Sequence, residues 1–122
     1  MKSIYFKEVE FAHLRVKVKF CDLSKLKGVP IQGSGYTTLL SHDELANLEV
    51  GVFIQDIETS VKSLECMPTL FHEITHAVQY ICEQRGIDME LEKESVAYMV
   101  HYLGETVMGL RDKAKAPSNT NI

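Results

Sequence analysis

The segment between Pro68 and Gly86 constrains this chain most, because its apolar residues recur at helical rather than strand spacing. With about 100° of turn per residue, Leu70, Ile74, Ala77, Val78 and Ile81 gather on one side of a helix. His72, His76, Gln79 and Glu83 fall on the other side. Pro68 suits a first helical turn, where its missing N–H costs nothing. Gly86 suits the residue just past a helix end, which commonly adopts a left-handed conformation. The spacing therefore predicts a helix ending near Gln84 or Arg85 that buries one face and aims a histidine pair into a polar cleft.

Upstream the period is two. Leu14, Val16, Val18 and Phe20 alternate with Arg15, Lys17, Lys19 and Cys21, the pattern of a half-buried strand with one wet face. Residues Lys27 to Gly35 read as a turn or loop, and Tyr36 to Leu40 as a short strand. Ser41-His42-Asp43-Glu44 has the capping-box pattern and predicts a brief helix over Asp43 to Leu48. Val50 to Ile57 reads as a further strand, followed by a polar connection over Thr59 to Glu65. Downstream, a loop over Ile87 to Glu90 leads to a second helix from about Leu91 to Leu110, with Gly104 and Gly109 loosening its far end. Strands first and helices second make an α+β domain: a small, mainly antiparallel N-terminal sheet, then two helices. The expectation is one domain over residues 1–112 and a disordered tail over 113–122.

Composition narrows the function classes. The formal net charge of −4 disfavours nucleic-acid binding, which needs a basic patch. No apolar run is long enough to span a membrane, and the first residues turn charged before a signal-peptide core could form. Cys21, Cys66 and Cys82 are an odd count without CxxC spacing, as expected of buried free thiols in a reducing compartment. A cytoplasmic protein is the expectation.

The chemistry sits in His72-Glu73-Ile74-Thr75-His76. Histidines at i and i+4 share a helical face one turn apart, so both imidazoles can grip one zinc ion. Glu73 projects beside them, placed to take a proton from a water whose pKa the metal lowers. A catalytic zinc needs a third protein ligand, and Glu90, Glu92 and Glu94 lie near the start of the next helix, which a short loop folds back on the first. Periodicity leaves the choice open. Val96, Val100, Leu103 and Val107 form the most apolar stripe of that helix, with Glu94 nearly opposite and Glu92 close to it. Either the stripe packs on the sheet or on a partner while Glu94, Ala97 and His101 face the first helix, or Glu92 is the ligand. His101 could donate to a developing oxyanion. Tyr98 and Tyr102 read as core or cleft wall, and His13 and His42 as surface or loop residues.

The pair of motifs resembles the gluzincins, the zinc peptidases with a glutamate ligand, in which that glutamate often opens a Glu-x-x-Ala pattern on a second helix. Glu94-Ser95-Val96-Ala97 matches it. The resemblance implies Glu94 as third ligand, with Ala97 letting the helices approach closely. Over His72 to Tyr80 and Glu94 to Leu103 the chain also resembles small phage- or prophage-associated HExxH proteins, and more distantly the ImmA/IrrE-type peptidases. The family layout implies an edge strand, here Val50 to Ile57, along which an extended peptide or protein substrate would pair. Relatives often carry Asp or Asn four residues after the ligand glutamate, where this chain has Tyr98, so the bond that orients a histidine ligand would come from elsewhere.

The expected function is zinc-dependent peptide-bond hydrolysis with Glu73 as general base. The alternative is a zinc-binding regulatory or interaction module with little turnover, motivated by the small amount of chain left to wall a specificity pocket. That shortage also makes a homodimer or partner protein conceivable.

Overall fold

The computed structural model describes residues 4–25, 35–42 and 47–110. Four strands, β1 (Tyr5–Phe11), β2 (Val16–Asp22), β3 (Gly35–His42) and β4 (Leu48–Ile54), precede a one-turn helix α1 (Ile57–Ser60) and two long helices, α2 (Met67–Arg85) and α3 (Lys93–Val107). The α+β order expected from the sequence is the one observed. The strands make one sheet in the order β1-β2-β4-β3, with β1–β2 and β3–β4 antiparallel and β2–β4 parallel. Among the described residues, no helix is long and apolar enough to cross a membrane.

The register explains the core. Val16, Val18, Phe20 and Asp22 of β2 stand opposite Leu48, Val50, Val52 and Ile54 of β4, so the apolar sets of both strands face the same way. The helices cover that face. Leu70, Ile74, Ala77, Val78 and Ile81 of α2 are fully buried there, as the periodicity required, with Met99, Leu103 and Val107 of α3. Val96 and Val100 pack against the same core, so the stripe of α3 serves the fold and is not left open for a partner. On the opposite sheet face Lys17 and Lys19 are half-buried. Cys21, however, joins Leu23 and Phe53 in a small second cluster closed by Tyr36, whose ring stacks on Phe53 at 4.9 Å.

Several expectations need correction. β1 was not foreseen. Its inward face carries Lys7 beside Val9 and Phe11, which breaks the alternation, and the lysine Nζ donates to Thr106 O at 3.0 Å, close to the negative end of α3. The strand read as Val50 to Ile57 runs from Leu48 to Ile54, and Ile57 already belongs to α1. It is no edge strand: β2 and β4 pair along one side and β3 and β4 along the other, so no substrate can add to it. The edge positions belong to β1 and β3, and β3 is the one beside β4. Leu48 opens β4, and the rest of the helix expected over Asp43 to Leu48 lies, apart from Asn47, outside the described residues. So do the expected tail and all of the Lys27–Gly35 loop except Gly35.

The α2 boundaries follow the sequence signals. Pro68 stands in the first turn, and Gly86 ends the helix with φ 66°. α3 returns alongside α2 with Gly104 close against it: an added Cβ there would stand 2.8 Å from the Phe71 ring. Ala97, expected to allow that approach, is exposed. Gly104→Val should therefore lower stability by about 1–3 kcal/mol in urea unfolding, the usual cost of overpacking. An unchanged midpoint would show that the helices are not in close contact there.

Candidate metal centre

The buried stripe of α2 leaves His72 and His76 outward, one turn apart, with the His72 side chain 66% exposed. Their rings meet edge to face and their Nε2 atoms stand 3.2 Å apart. Two nitrogens each about 2.05 Å from a tetrahedral zinc are separated by about 3.3 Å. The pair thus fits a shared metal ion. His76 Nδ1 lies 2.9 Å from Gln79 Oε1, one turn further along the same face.

Glu73 takes the opposite environment. It lies on the flank of α2 that meets β3 and is buried, with 7% of its surface exposed. The Thr37 hydroxyl, on edge strand β3, approaches Glu73 Oε1 at 2.8 Å and Glu73 O at 3.0 Å. One hydroxyl proton cannot fully serve both acceptors, and the shorter, charge-assisted bond to the carboxylate is the stronger. Gly35 keeps the approach open, since a Cβ there would sit 3.1 Å from Glu73 Cγ. With Oε1 engaged, Oε2 is left towards the histidines, 4.0 Å from His72 Nε2.

The remaining expected residues are placed less centrally. Glu94 is exposed in the first turn of α3. Among the described residues, no group of three His, Cys, Asp or Glu side chains stands close enough to hold a metal ion, so Glu94 is not assembled with the histidine pair. Glu92 lines a cavity of about 440 Å³ with Phe11, His13, Gly86 and Tyr98. That cavity lies at the far end of α2: Gly86 is ten residues past His76, about 15 Å along the axis. Glu90 is exposed in the connection, just after Asp88, whose carboxylate accepts the Glu90 and Leu91 N–H groups. His101 is exposed on α3, one turn before Gly104, the residue that lies against Phe71; its Nε2 is 3.1 Å from Glu105 Oε1. Tyr98 and Tyr102 stack on each other at 5.8 Å, and Tyr102 also contacts Phe11, as wall and core residues do.

Cys21 and Cys82 are buried and offer no competing nucleophile. Burial pushes Cys21 up to about 11 and also raises Cys82, and thiolate is the reactive form. Thr37 is the site residue that the sequence did not announce. Its bond spans 36 positions, and only the identity of β3 as a strand bordering α2 could have singled it out.

Comparison of the chain with protein-family models, with curated proteins and with solved structures gives no match.

Removing the Thr37 hydroxyl leaves a buried carboxylate short of a donor, which costs about 1–3 kcal/mol. Thr37→Val should lose that much in chemical unfolding near neutral pH, while Thr37→Ser should keep most of it. Equal stability of the two variants would show that Glu73 does not depend on the hydroxyl.

Proposed function

We propose that this chain is a zinc-dependent metallopeptidase in which His72, His76 and Glu94 hold the metal and Glu73 is the general base. The observation that carries the reading is the convergence of two imidazole Nε2 atoms at 3.2 Å beside a buried carboxylate. A histidine pair that served only as helix surface would need neither that convergence nor the buried Glu73 at its side. Glu94 is assigned from the Glu-x-x-Ala pattern, and the return of α3 along α2 puts its helix on the same side of the sheet as the histidines.

His72, His76 and Glu94 would hold the zinc, which would supply a water of lowered pKa and polarisation of the scissile carbonyl. Glu73 accepts the water proton at Oε2, because Thr37 occupies Oε1, and hands it to the leaving amine as the C–N bond breaks. An extended peptide adds to β3, an edge strand, by main-chain hydrogen bonds. The base and the substrate bed are thereby tied together by the Thr37 bond. His101, on the α3 side, is the donor for the developing oxyanion.

A second reading, a zinc-binding regulatory module with little turnover, is favoured by one observation: the His72 side chain is two-thirds exposed rather than enclosed. Two measurements separate these readings. Metal analysis of protein purified without chelator should give about one zinc per chain, lost in Glu94→Ala and kept in Glu92→Ala. Glu73→Gln should keep the zinc and lower peptide hydrolysis by about 10²–10⁴-fold, the usual share of a general base. A wild type that takes up no zinc would sink both readings, and hydrolysis undiminished in Glu73→Gln would remove the peptidase mechanism.

A further inference from the structure

We propose that the cavity at the far end of α2 binds a small organic cation, a primary ammonium group carried on an apolar body. This site stands apart from the histidine pair, about 15 Å along the helix axis, and does not rest on the zinc reading.

The cavity, of about 440 Å³, lies between the turn that follows β1, the α2–α3 connection and the first turns of α3. That volume falls in the range of small-molecule sites, roughly 300–1,000 Å³. Its floor is apolar: Phe11 and Met99 belong to the buried core, and Ile87 packs against it. Leu91 lines the cavity too, yet it is 82% exposed. A leucine so exposed beside an apolar hollow becomes covered once a ligand occupies the hollow, which favours an occupant with an apolar body.

The polar lining selects the charge of that occupant. Asp88, Glu92 and Ser95 come from one short stretch of chain, and the Glu92 N–H donates to Asp88 O at 2.8 Å, the spacing of one helical turn. Three oxygen acceptors carried so close together match the three N–H donors of a primary ammonium. His13 is the one basic side chain among the described residues that line the cavity. Local structure uses only part of this negative charge. Asp88 Oδ1 accepts the Glu90 and Leu91 N–H groups, which fixes the side chain, while its Oδ2 has no hydrogen bond among the described residues. Glu92 is the N-cap residue of α3 but makes no side-chain capping bond. The helix end offers about half a positive charge against two carboxylates, so the lining stays negative. An anion is repelled there, a neutral ligand gains nothing from the charge, and a single ammonium meets both carboxylates.

The test uses the full chain with EDTA present, so that no metal can take up an amine, at about pH 8, where ordinary imidazoles are neutral. The probes are phenylpropylammonium, phenylpropanol and phenylbutyrate, which share a phenylpropyl body and differ in charge. Binding is followed by NMR shifts of the Ile87, Leu91 and Met99 methyl groups. The ammonium should bind with a Kd on the order of 1 mM, as fits so small a probe. The alcohol should bind about 5–10-fold more weakly, the share of two exposed ion pairs, and the carboxylate more weakly still. Asp88→Asn keeps the oxygen that accepts the Glu90 and Leu91 N–H groups, and Glu92→Gln keeps the size of the side chain. The double variant should bring the ammonium down to the level of the alcohol and leave the alcohol unchanged. Ser95→Phe, which fills the cavity from an exposed position, should weaken both. No ammonium-dependent shifts at these methyl groups, equal affinity for ammonium and alcohol in the wild type, or a preference that survives the double variant overturns the proposal. Undiminished binding in Ser95→Phe places the probe elsewhere and overturns it as well.

Discussion

The seating of α2 on the sheet is the interaction from which the rest of the site follows. Leu70, Ile74, Ala77, Val78 and Ile81 are fully buried, and burying a large aliphatic side chain contributes about 1.5–3 kcal/mol. A helix held that way has no freedom to roll, since turning it by one residue would expose part of the stripe. Rotation about the axis is thus fixed by the core, and with it the direction of every other side chain on the helix. His72 and His76 have to point away from the sheet. Glu73, a quarter turn round, has to fall on the flank where β3 lies. The histidine pair and the carboxylate are not placed by one another but by the apolar residues on the far side of the same helix.

That placement sets up opposite environments at adjacent positions, His72 exposed and Glu73 buried. Burying a carboxylate is unfavourable unless hydrogen bonds replace the water it loses. Thr37 supplies such a bond from a separate strand, so the cost of holding Glu73 dry is met by the sheet rather than by the helix that carries it. The histidines bear no such cost, because they face solvent and each other. A buried carboxylate beside exposed imidazole nitrogens is an arrangement that water can reach from one side only.

How much of this could be read beforehand depended on how local the cause was. The extent of α2, its buried face and its capping glycine come from periodicity and from Pro68 and Gly86, all short-range signals, and they were legible. Cys21 was legible as a buried thiol, though the alternation alone put it on the wet face. β1 escaped because Lys7 occupies an inward position that only its bond to Thr106 O, 99 residues away, makes acceptable. The order of strands escaped as well, since periodicity says which face a strand buries and nothing about its neighbours. One sign was present: Val50-Gly51-Val52-Phe53-Ile54 is apolar on both faces, as interior strands are. Thr37 was not readable as a site residue at all, whereas Gln79 already fell on the histidine face by spacing alone. Its contact with His76 became visible only with the side chains in place.

The strand order also bears on how such a chain assembles. Of the described strands β4 is the last to be made, yet it occupies an interior position between β2 and β3. Until Leu48 to Ile54 has emerged, β3 has no sheet partner among the described strands, and the β1–β2 hairpin presents the bare side of β2, with Val16, Val18 and Phe20 still uncovered. The sheet is completed by insertion, not by adding one strand after another at a growing margin. The parallel pairing of β2 with β4 joins residues distant in the chain, Val16 with Leu48 and Asp22 with Ile54, and loop closure of that kind slows folding. During synthesis the unfinished sheet offers two open strand edges, the state in which nascent chains pair wrongly with one another. The same insertion locks the finished fold, because β4 cannot be withdrawn without parting two ladders at once.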